Sequence, residues 1–427
     1  MAKNPGTKSS VSRRSFLVAG GAGAFTLIST SGLGAGQPRP PRSSTHVAVV
    51  GAGAFGGWTA LHLLRAGARV TLIDAWGPGN SRASSGGESR VIRAGYGADR
   101  VYVEMVARSL ELWRENQARW NRKLFHQIGA LWLLGDDDEF VTPSMLFFKE
   151  LGLPYDELSS KEARERYPQI NFEGVRWALL ERHAGFLLAR QGCQAVTEAF
   201  IHEGGTFRLG AVDAPVAAGA TGGSLGNLRL GFGAEIQADA YVFACGPWLP
   251  KLFPDILGNL IAPTRQEVFY FGTPGGDARY TDEALPAWIA PPWRERDDRF
   301  FYGIPGNESR GFKIADDTRG PAFDPTSGDR RPTAEGIQIA REYIAFRFPG
   351  LADAPLLEAR VCQYEESRDG HFIVDKHPGL DNVWLVGGGS GHGYKHGPAV
   401  GERVAQMVLA ERRVDSFFSL GRFHRTG

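Results

Sequence analysis

The spacing of apolar positions changes character several times along the chain. Val47 to Val50 are four apolar residues in succession, as in a strand buried on both faces, and they run directly into Gly51-Ala52-Gly53-Ala54-Phe55-Gly56. Trp58 to Gly67 has helical spacing and a glycine stop, and Ala68 to Ile73 reads as a second strand that ends on Asp74. Val101 to Trp120 predicts a long amphipathic helix whose aromatic and leucine stripe belongs to a core. Short strands such as ALWLL then alternate with helices such as SSKEARERYP up to about residue 180. A helix over Leu187–Glu203 leads into two glycine-punctuated strand patterns that read as a β-meander, and Ala240 to Ala244 runs into Cys245-Gly246-Pro247-Trp248. From about residue 262 to 350, VFYFG, AWIA, RFFYGIP and GFKIA are short aromatic strands separated by Pro/Gly/Asp loops. They predict an antiparallel sheet closed by a helix over Thr333–Phe346. Asn382 to Ala410 is a buried strand, a loop of repeated glycines and a helix with Pro398 near its start.

Two of these junctions carry chemistry. In a strand–turn–helix setting, Gly51 allows the tight turn, Gly53 lets the backbone approach a pyrophosphate and Gly56 lets helix and strand pack closely. Asp74, 23 positions after Gly51, stands where a ribose-binding carboxylate belongs. The loop from Gly387 to Gly393 sets a second group of backbone N–H donors on a helix N-terminus, where a developing anion is stabilised. Between the junctions, the Gly/Ser-dense stretch from Ala75 to Gly97, with Ser84 in it, reads as a loop that finishes in Arg90 and Arg93. Two guanidinium groups so close behind a dinucleotide fingerprint suit a cofactor edge or a substrate carboxylate. Tyr302 and Lys313 are polar groups on aromatic strands that would face the cofactor, and Gly246 permits a further close backbone approach. Cys245 reads as a small buried filler.

Length and charge bound the rest. The 427 residues suffice for two domains with cores of their own. Residues 1–44 hold six basic side chains and no acid, so the remainder carries 42 basic and 47 acidic groups, a net charge of −5. That balance argues against nucleic acid as a partner. Three cysteines suggest neither a disulfide framework nor a metal site. Ser12-Arg13-Arg14-Ser15-Phe16-Leu17 precedes a short Gly/Ala-rich apolar run and a Pro/Gly/Ser linker, which together resemble a twin-arginine leader. The expectation is export of a folded precursor to the bacterial periplasm by the twin-arginine machinery, with a cytoplasmic location if the leader is not functional.

With these motifs in place, the chain from Val47 to about Leu420 resembles the D-amino-acid-oxidase-like flavoproteins, within them the sarcosine and N-methyltryptophan oxidases. The resemblance implies a discontinuous Rossmann-like FAD-binding α/β domain (residues 45–98, 185–261 and 356–427) and a second, antiparallel-sheet substrate domain (99–184 and 262–355), after a leader and linker (1–44). It implies FAD held by Gly51, Gly53, Ala54, Phe55, Gly56, Asp74, Ser84, Arg90, Gly246, Gly391, Gly393 and Lys395. Cys362, followed by Tyr364 and His371-Phe372-Ile373-Val374-Asp375, matches the segment whose cysteine bonds to the flavin 8α-carbon. Arg90 matches the arginine lying against the flavin, while Arg93 and Lys395 match the pair that holds the substrate carboxylate. Tyr302 falls on a substrate-pocket tyrosine and Lys313 on the lysine that activates oxygen; Tyr364 joins them as a catalytic candidate. The chain departs from the pattern at Asp317, where the sarcosine oxidases have a pocket histidine, and at Ala98, where they have a glutamate. The expectation is therefore a monomeric FAD-dependent oxidase that takes hydride from a secondary or N-methylated amino acid, lets the imine hydrolyse, and reduces O2 to H2O2. A dehydrogenase of the same fold and a non-catalytic FAD-binding subunit are the alternatives.

Overall fold

The computed structural model describes residues 44–136, 138–215, 223–290 and 299–424, so the expected leader and most of its linker lie outside the described residues. A six-stranded sheet holds the first junction. Its order is Ile373–His377, Leu380–Gly387, Ala240–Phe243, His46–Val50, Arg69–Asp74 and Thr206–Leu209, parallel throughout except for the first pair. His46–Val50 is buried along its whole length, as its unbroken apolar run requires when helices cover both faces. Helix Ala54–Arg65 packs on this sheet and against helices Gly397–Val408 and Ala189–His202.

Gly51 and Gly56 show why the fingerprint needs glycine. Gly51 has φ +103°, and a Cβ there would stand 2.3 Å from the Ala244 carbonyl oxygen; a Cβ on Gly56 would stand 1.9 Å from the Gly51 carbonyl oxygen. Any side chain at either position would push the first turn of the helix off the sheet.

The second sheet has eight strands in the order Leu356–Ser367, Ile261–Phe271, Phe312–Asp316, Phe301–Ile304, Ala287–Ala290, Ala130–Leu134, Trp177–Glu181 and Tyr155–Ser159. Every neighbouring pair is antiparallel except Ala287–Ala290 with Ala130–Leu134, which run parallel. Helix Ala334–Arg347, capped by Thr333 Oγ1 accepting from Gly336 N at 3.0 Å, lays Tyr343 and Ile344 on Trp288, Phe301 and Phe312 to form the core under this sheet. The fold is thus the expected combination of a parallel α/β layer and an antiparallel sheet.

Local differences have physical causes. The meander expected between residues 206 and 244 is instead divided: Asn227–Arg229 and Glu235–Gln237 form a separate two-stranded hairpin, while Thr206–Leu209 and Ala240–Phe243 join the parallel sheet at different places. Arg90 stands on a strand, Ser89–Ile92, where a loop was expected, because it pairs with Gly185–Leu188 ahead of helix Ala189–His202. No helix among the described residues is long and apolar enough to cross a membrane.

Candidate active site

Two clefts meet between the sheets. The larger is lined by Gly51, Gly53, Ala54, Phe55, Asp74, Ser84, Arg90, Gly246, Tyr364, Gly391 and Gly393 among the residues expected from sequence, together with Ser85, Cys245, Trp248, Glu365 and Tyr394. The smaller is lined by Arg90, Arg93, Tyr302, Asp317, Gly391 and Lys395, with Val91, Ile289, Phe300, His392 and Tyr394 completing it. Arg90, Gly391 and Tyr394 belong to both, so the clefts share a wall. Gly391 has φ +77°, and a Cβ there would lie 2.7 Å from the Tyr364 ring, so the turn that joins the clefts closes only on glycine.

The smaller cleft is built around two cations and one carboxylate. The Arg93 guanidinium donates to the Gly95 carbonyl and lies 4.8 Å from the ring centres of both Tyr96 and Trp132 and 5.2 Å from that of Phe140. This aromatic cage fixes the guanidinium, and no carboxylate among the described residues is in contact with it. Lys395 Nζ donates to the His392 carbonyl at 2.9 Å and lies 5.1 Å from the same Tyr96 ring. Burial, and then repulsion from Arg93, hold the Lys395 ammonium well below the ordinary lysine range. Tyr96 is pinned in turn: its hydroxyl lies 3.1 Å from His392 Nδ1 and 2.8 Å from His396 Nε2. Across the cleft, Tyr364 donates to Asp317 Oδ1 at 2.6 Å, and burial pushes the Asp317 carboxyl above the usual range despite that bond and the two cations.

Behind the cage is a residue that the sequence did not single out. Glu181, fully buried at the end of strand Trp177–Glu181, accepts from Ala94 N at 2.6 Å, Gly95 N at 3.0 Å and Trp132 Nε1 at 2.7 Å, and pairs with His183 Nε2 at 3.1 Å. It therefore holds both the turn that follows Arg93 and the indole against which Arg93 lies.

Arg90, Cys362 and Lys313 cluster at the shared wall. Arg90 donates to Ser89 O at 2.8 Å and Ser84 O at 2.6 Å, and its Nη2 lies 3.5 Å from Cys362 Sγ. Lys313, also buried, donates to Ser89 O at 2.9 Å and lies 5.1 Å from the Tyr302 ring centre. Burial and then Arg90 hold its ammonium well below the ordinary range. Neither Cys362 nor Lys313 lines either of these two clefts; Cys362 stands beside Arg90 and Lys313 beside Tyr302. Cys245 is half-buried at the larger cleft, and burial pushes its thiol up, which keeps it a filler.

Residues 46–407 match the family of FAD dependent oxidoreductases known as DAO. The chain belongs to this family. The enzyme class expected from the sequence, an FAD-dependent oxidoreductase of CH–NH donors, stands with it. Monomeric sarcosine oxidase from Bacillus sp. (strain NS-129) is 30% identical over 389 residues, covering 89% of this chain and 97% of that protein. N-methyl-L-tryptophan oxidase from Yersinia pestis (strain Pestoides F) is 28% identical over 382 residues, covering 88% and 98%. Among solved structures, L-proline dehydrogenase from P. horikoshii superposes with a TM-score of 0.75 at 20% identity, over 90% of this chain and 99% of that one. The modified fructosyl peptide oxidase from Aspergillus nidulans does so with a TM-score of 0.75 at 19% identity, over 89% and 94%; at such identities these two show the fold alone.

The larger cleft fits the FAD of this family. Ser84 Oγ and Glu365 Oε2 are buried at its wall with no hydrogen-bond partner among the described residues, apart from the pull of the Gly388 and Gly389 N–H groups on the Glu365 carboxyl, so a bound molecule bearing hydroxyl or N–H groups would supply what they lack. Asp74 is already oriented, with Oδ2 accepting from Ala52 N at 2.8 Å and Oδ1 from Trp76 N at 2.9 Å and Gly77 N at 2.8 Å. A Cβ on Gly53 would stand 3.5 Å from Ser85 Oγ at the helix start, where Ser85 Oγ accepts from Ala54 N at 3.2 Å. Ser85 is adjacent to the expected Ser84 and was missed because a run of serines has no periodic signal.

Proposed function

We propose that this protein oxidises secondary or N-methylated amino acids with FAD and returns the electrons to O2 as H2O2. The observation that carries the reading is the placement of Arg93 and Lys395, two basic side chains that no carboxylate among the described residues contacts, in a small cleft that shares a wall with the dinucleotide cleft. A substrate carboxylate bound between them is oriented by charge-assisted hydrogen bonds, and this brings its neighbouring C–H to the shared wall. FAD held there by the residues of the larger cleft would supply the hydride acceptor and the route of electrons to oxygen. Phe300, Ile289 and the aromatic cage exclude water from the reacting carbon, and Tyr302 and Tyr364 bound the side on which the amine sits. Relatives named for sarcosine and N-methyl-L-tryptophan support the substrate class.

Three further parts of the reading rest on this placement. Cys362 is the attachment point of the flavin: its thiol lies 3.5 Å from Arg90 Nη2, behind the wall that the two clefts share. Lys313 is the oxygen-activating group, since an ammonium regained beside an anion lowers the cost of forming superoxide. The chain acts as a monomer after twin-arginine export, as its basic leader suggests.

A panel of N-alkyl amino acids assayed for both peroxide release and dye reduction tests the proposal. Peroxide from an N-methyl amino acid, lost in Arg93→Ala but little changed for the matching amine without a carboxyl group, is the expected result. Dye reduction without peroxide would favour a dehydrogenase, and no turnover of any amine would point to a non-catalytic subunit.

A further inference from the structure

The smaller cleft is complementary to a zwitterion, not only to an anion. It sets the Arg93 and Lys395 cations and the Asp317 carboxylate around one space. Asp317 follows strand Phe312–Asp316, and its N–H donates to Phe300 O at 2.7 Å, which fixes the backbone that presents the carboxyl group. Tyr364 occupies Oδ1, and no described residue donates to Oδ2. A carboxylate with one oxygen fixed and the other facing a substrate cleft is an acceptor waiting for a donor, and an amino acid bound by its own carboxylate offers one: its ammonium.

We infer that Asp317 receives the substrate's ammonium group and removes its proton before the C–H bond breaks, so that the enzyme binds its amino acid as the zwitterion. The inference rests on the amino-acid reading above and deepens it. The N–H proton passes to Asp317 Oδ2, and the electron pair of that bond stays on nitrogen as a lone pair. The α C–H electron pair then leaves with its hydrogen as hydride to the flavin, and the nitrogen lone pair closes the C=N bond of the iminium product. One proton is gained by Asp317, one hydride by the flavin, and the substrate is oxidised by two electrons.

The groups that face Asp317 favour this role. Its hydrogen-bond partner Tyr364 and its sequence neighbour Asp316 act on it together with the two cations, Arg93 and Lys395. Tyr302, Lys313, Tyr96 and Glu366 sense its charge from the elements around it. Burial outweighs the cations and makes the carboxyl group more basic than an exposed aspartate. That narrows the gap to an ammonium and makes the proton transfer easier.

Two measurements on the flavin-loaded enzyme test the inference. Glycine betaine and 3,3-dimethylbutyrate have the same shape and a carboxylate, but only betaine carries a positive nitrogen, and neither can be oxidised as an amine. By titration calorimetry, wild type should prefer betaine by about tenfold or more, one charge contact's worth, and Asp317→Asn should bind the two within about twofold of each other. In stopped-flow, Asp317→Asn should reduce its flavin about 100-fold more slowly at pH 7.5 and should recover as pH rises toward the ammonium's own pKa, because the substrate must then arrive neutral. An unchanged betaine preference together with an unchanged pH profile in Asp317→Asn overturns the inference while leaving the amino-acid reading intact. If no N-alkyl amino acid reduces the flavin yet wild type still prefers betaine, the zwitterion site stands and the proposed reaction fails. Should Asp317→Asn not load flavin, wild type decides alone: equal affinity for the two isosteres overturns the inference.

Discussion

Replacing Glu181 by glutamine tests whether the carboxylate-binding cation is held from behind. The side chain is fully buried and accepts from Ala94 N, Gly95 N and Trp132 Nε1. A glutamine of the same shape cannot satisfy all three. With its oxygen at the Oε1 position it serves Gly95 and Trp132, but its NH2 then faces the Ala94 N–H; flipped, it faces the other two donors. The better orientation leaves one buried N–H unpaired, which costs about 1–3 kcal/mol, and turns the remaining charge-assisted bonds into neutral ones at about 1 kcal/mol in all. The sum, about 2–4 kcal/mol, lowers Tm by roughly 3–5 °C in a folded body of this size. The functional effect should be selective. Arg93 loses the fixed turn and the fixed indole, so KM for a carboxylate substrate should rise about tenfold with kcat within a few-fold, and an amine without a carboxyl group should show no such rise. Calorimetric melting and steady-state kinetics on the two substrates measure both. If Glu181→Gln melts within about 1 °C of wild type and keeps its KM, the carboxylate is not what holds Arg93.

Flavin absorbance should stay with the polypeptide after acid precipitation of wild type and wash out of Cys362→Ser; equal loss from both removes the covalent link. Lys313→Met should reduce its flavin anaerobically at close to the wild-type rate but reoxidise it in oxygen at least about 100-fold more slowly, consistent with an interaction of order 4 kcal/mol at ~4 Å and an effective dielectric near 20. A wild-type reoxidation rate would remove Lys313 from the oxygen reaction. Burial raises the Glu365 carboxyl to about 7 from 4.5, so its share of stability is full below pH 4.5 and is lost as pH rises toward 7. In flavin-free protein Glu365→Gln should match wild type near pH 4.5 and exceed it by up to about 3 kcal/mol above pH 7, at 1.36 kcal/mol per unit; denaturant melts that differ equally at both pH values would refute this.

The parts of the site that were legible in the sequence are those whose chemistry depends on neighbours in the chain. The Gly51–Gly56 turn and its Asp74, the Arg90 and Arg93 pair and the Gly391–Lys395 loop each announce themselves within a few residues, and all of them line or support the clefts. Glu181 and Tyr96 were invisible because their role comes from partners far away: Glu181 reaches Ala94 across 87 positions, and Tyr96 meets His392 and His396 across about 300. Glu365 escaped for a different reason. A strand's period of two should put Tyr364 and Glu365 on opposite faces, one of them in solvent, yet Leu356–Ser367 is buried on both faces from Gln363 to Ser367 where it passes between the two layers, and both side chains line the larger cleft. The hairpin Asn227–Gln237 was merged into a meander because strand pattern fixes neither partner nor direction.

The position of His46–Val50 bears on how the molecule comes to exist. Its neighbour on one side, Arg69–Asp74, follows within a few dozen residues, but on the other side it pairs with Ala240–Phe243, and the helix that follows it is covered by Gly397–Val408. While the chain is being made, then, the strand that opens the cofactor fingerprint emerges first and stays half-paired until most of the polypeptide has followed. Synthesis at roughly 5–20 residues per second leaves that apolar edge open for tens of seconds. Flavin therefore has no complete cradle to enter until Gly397–Val408 has been made.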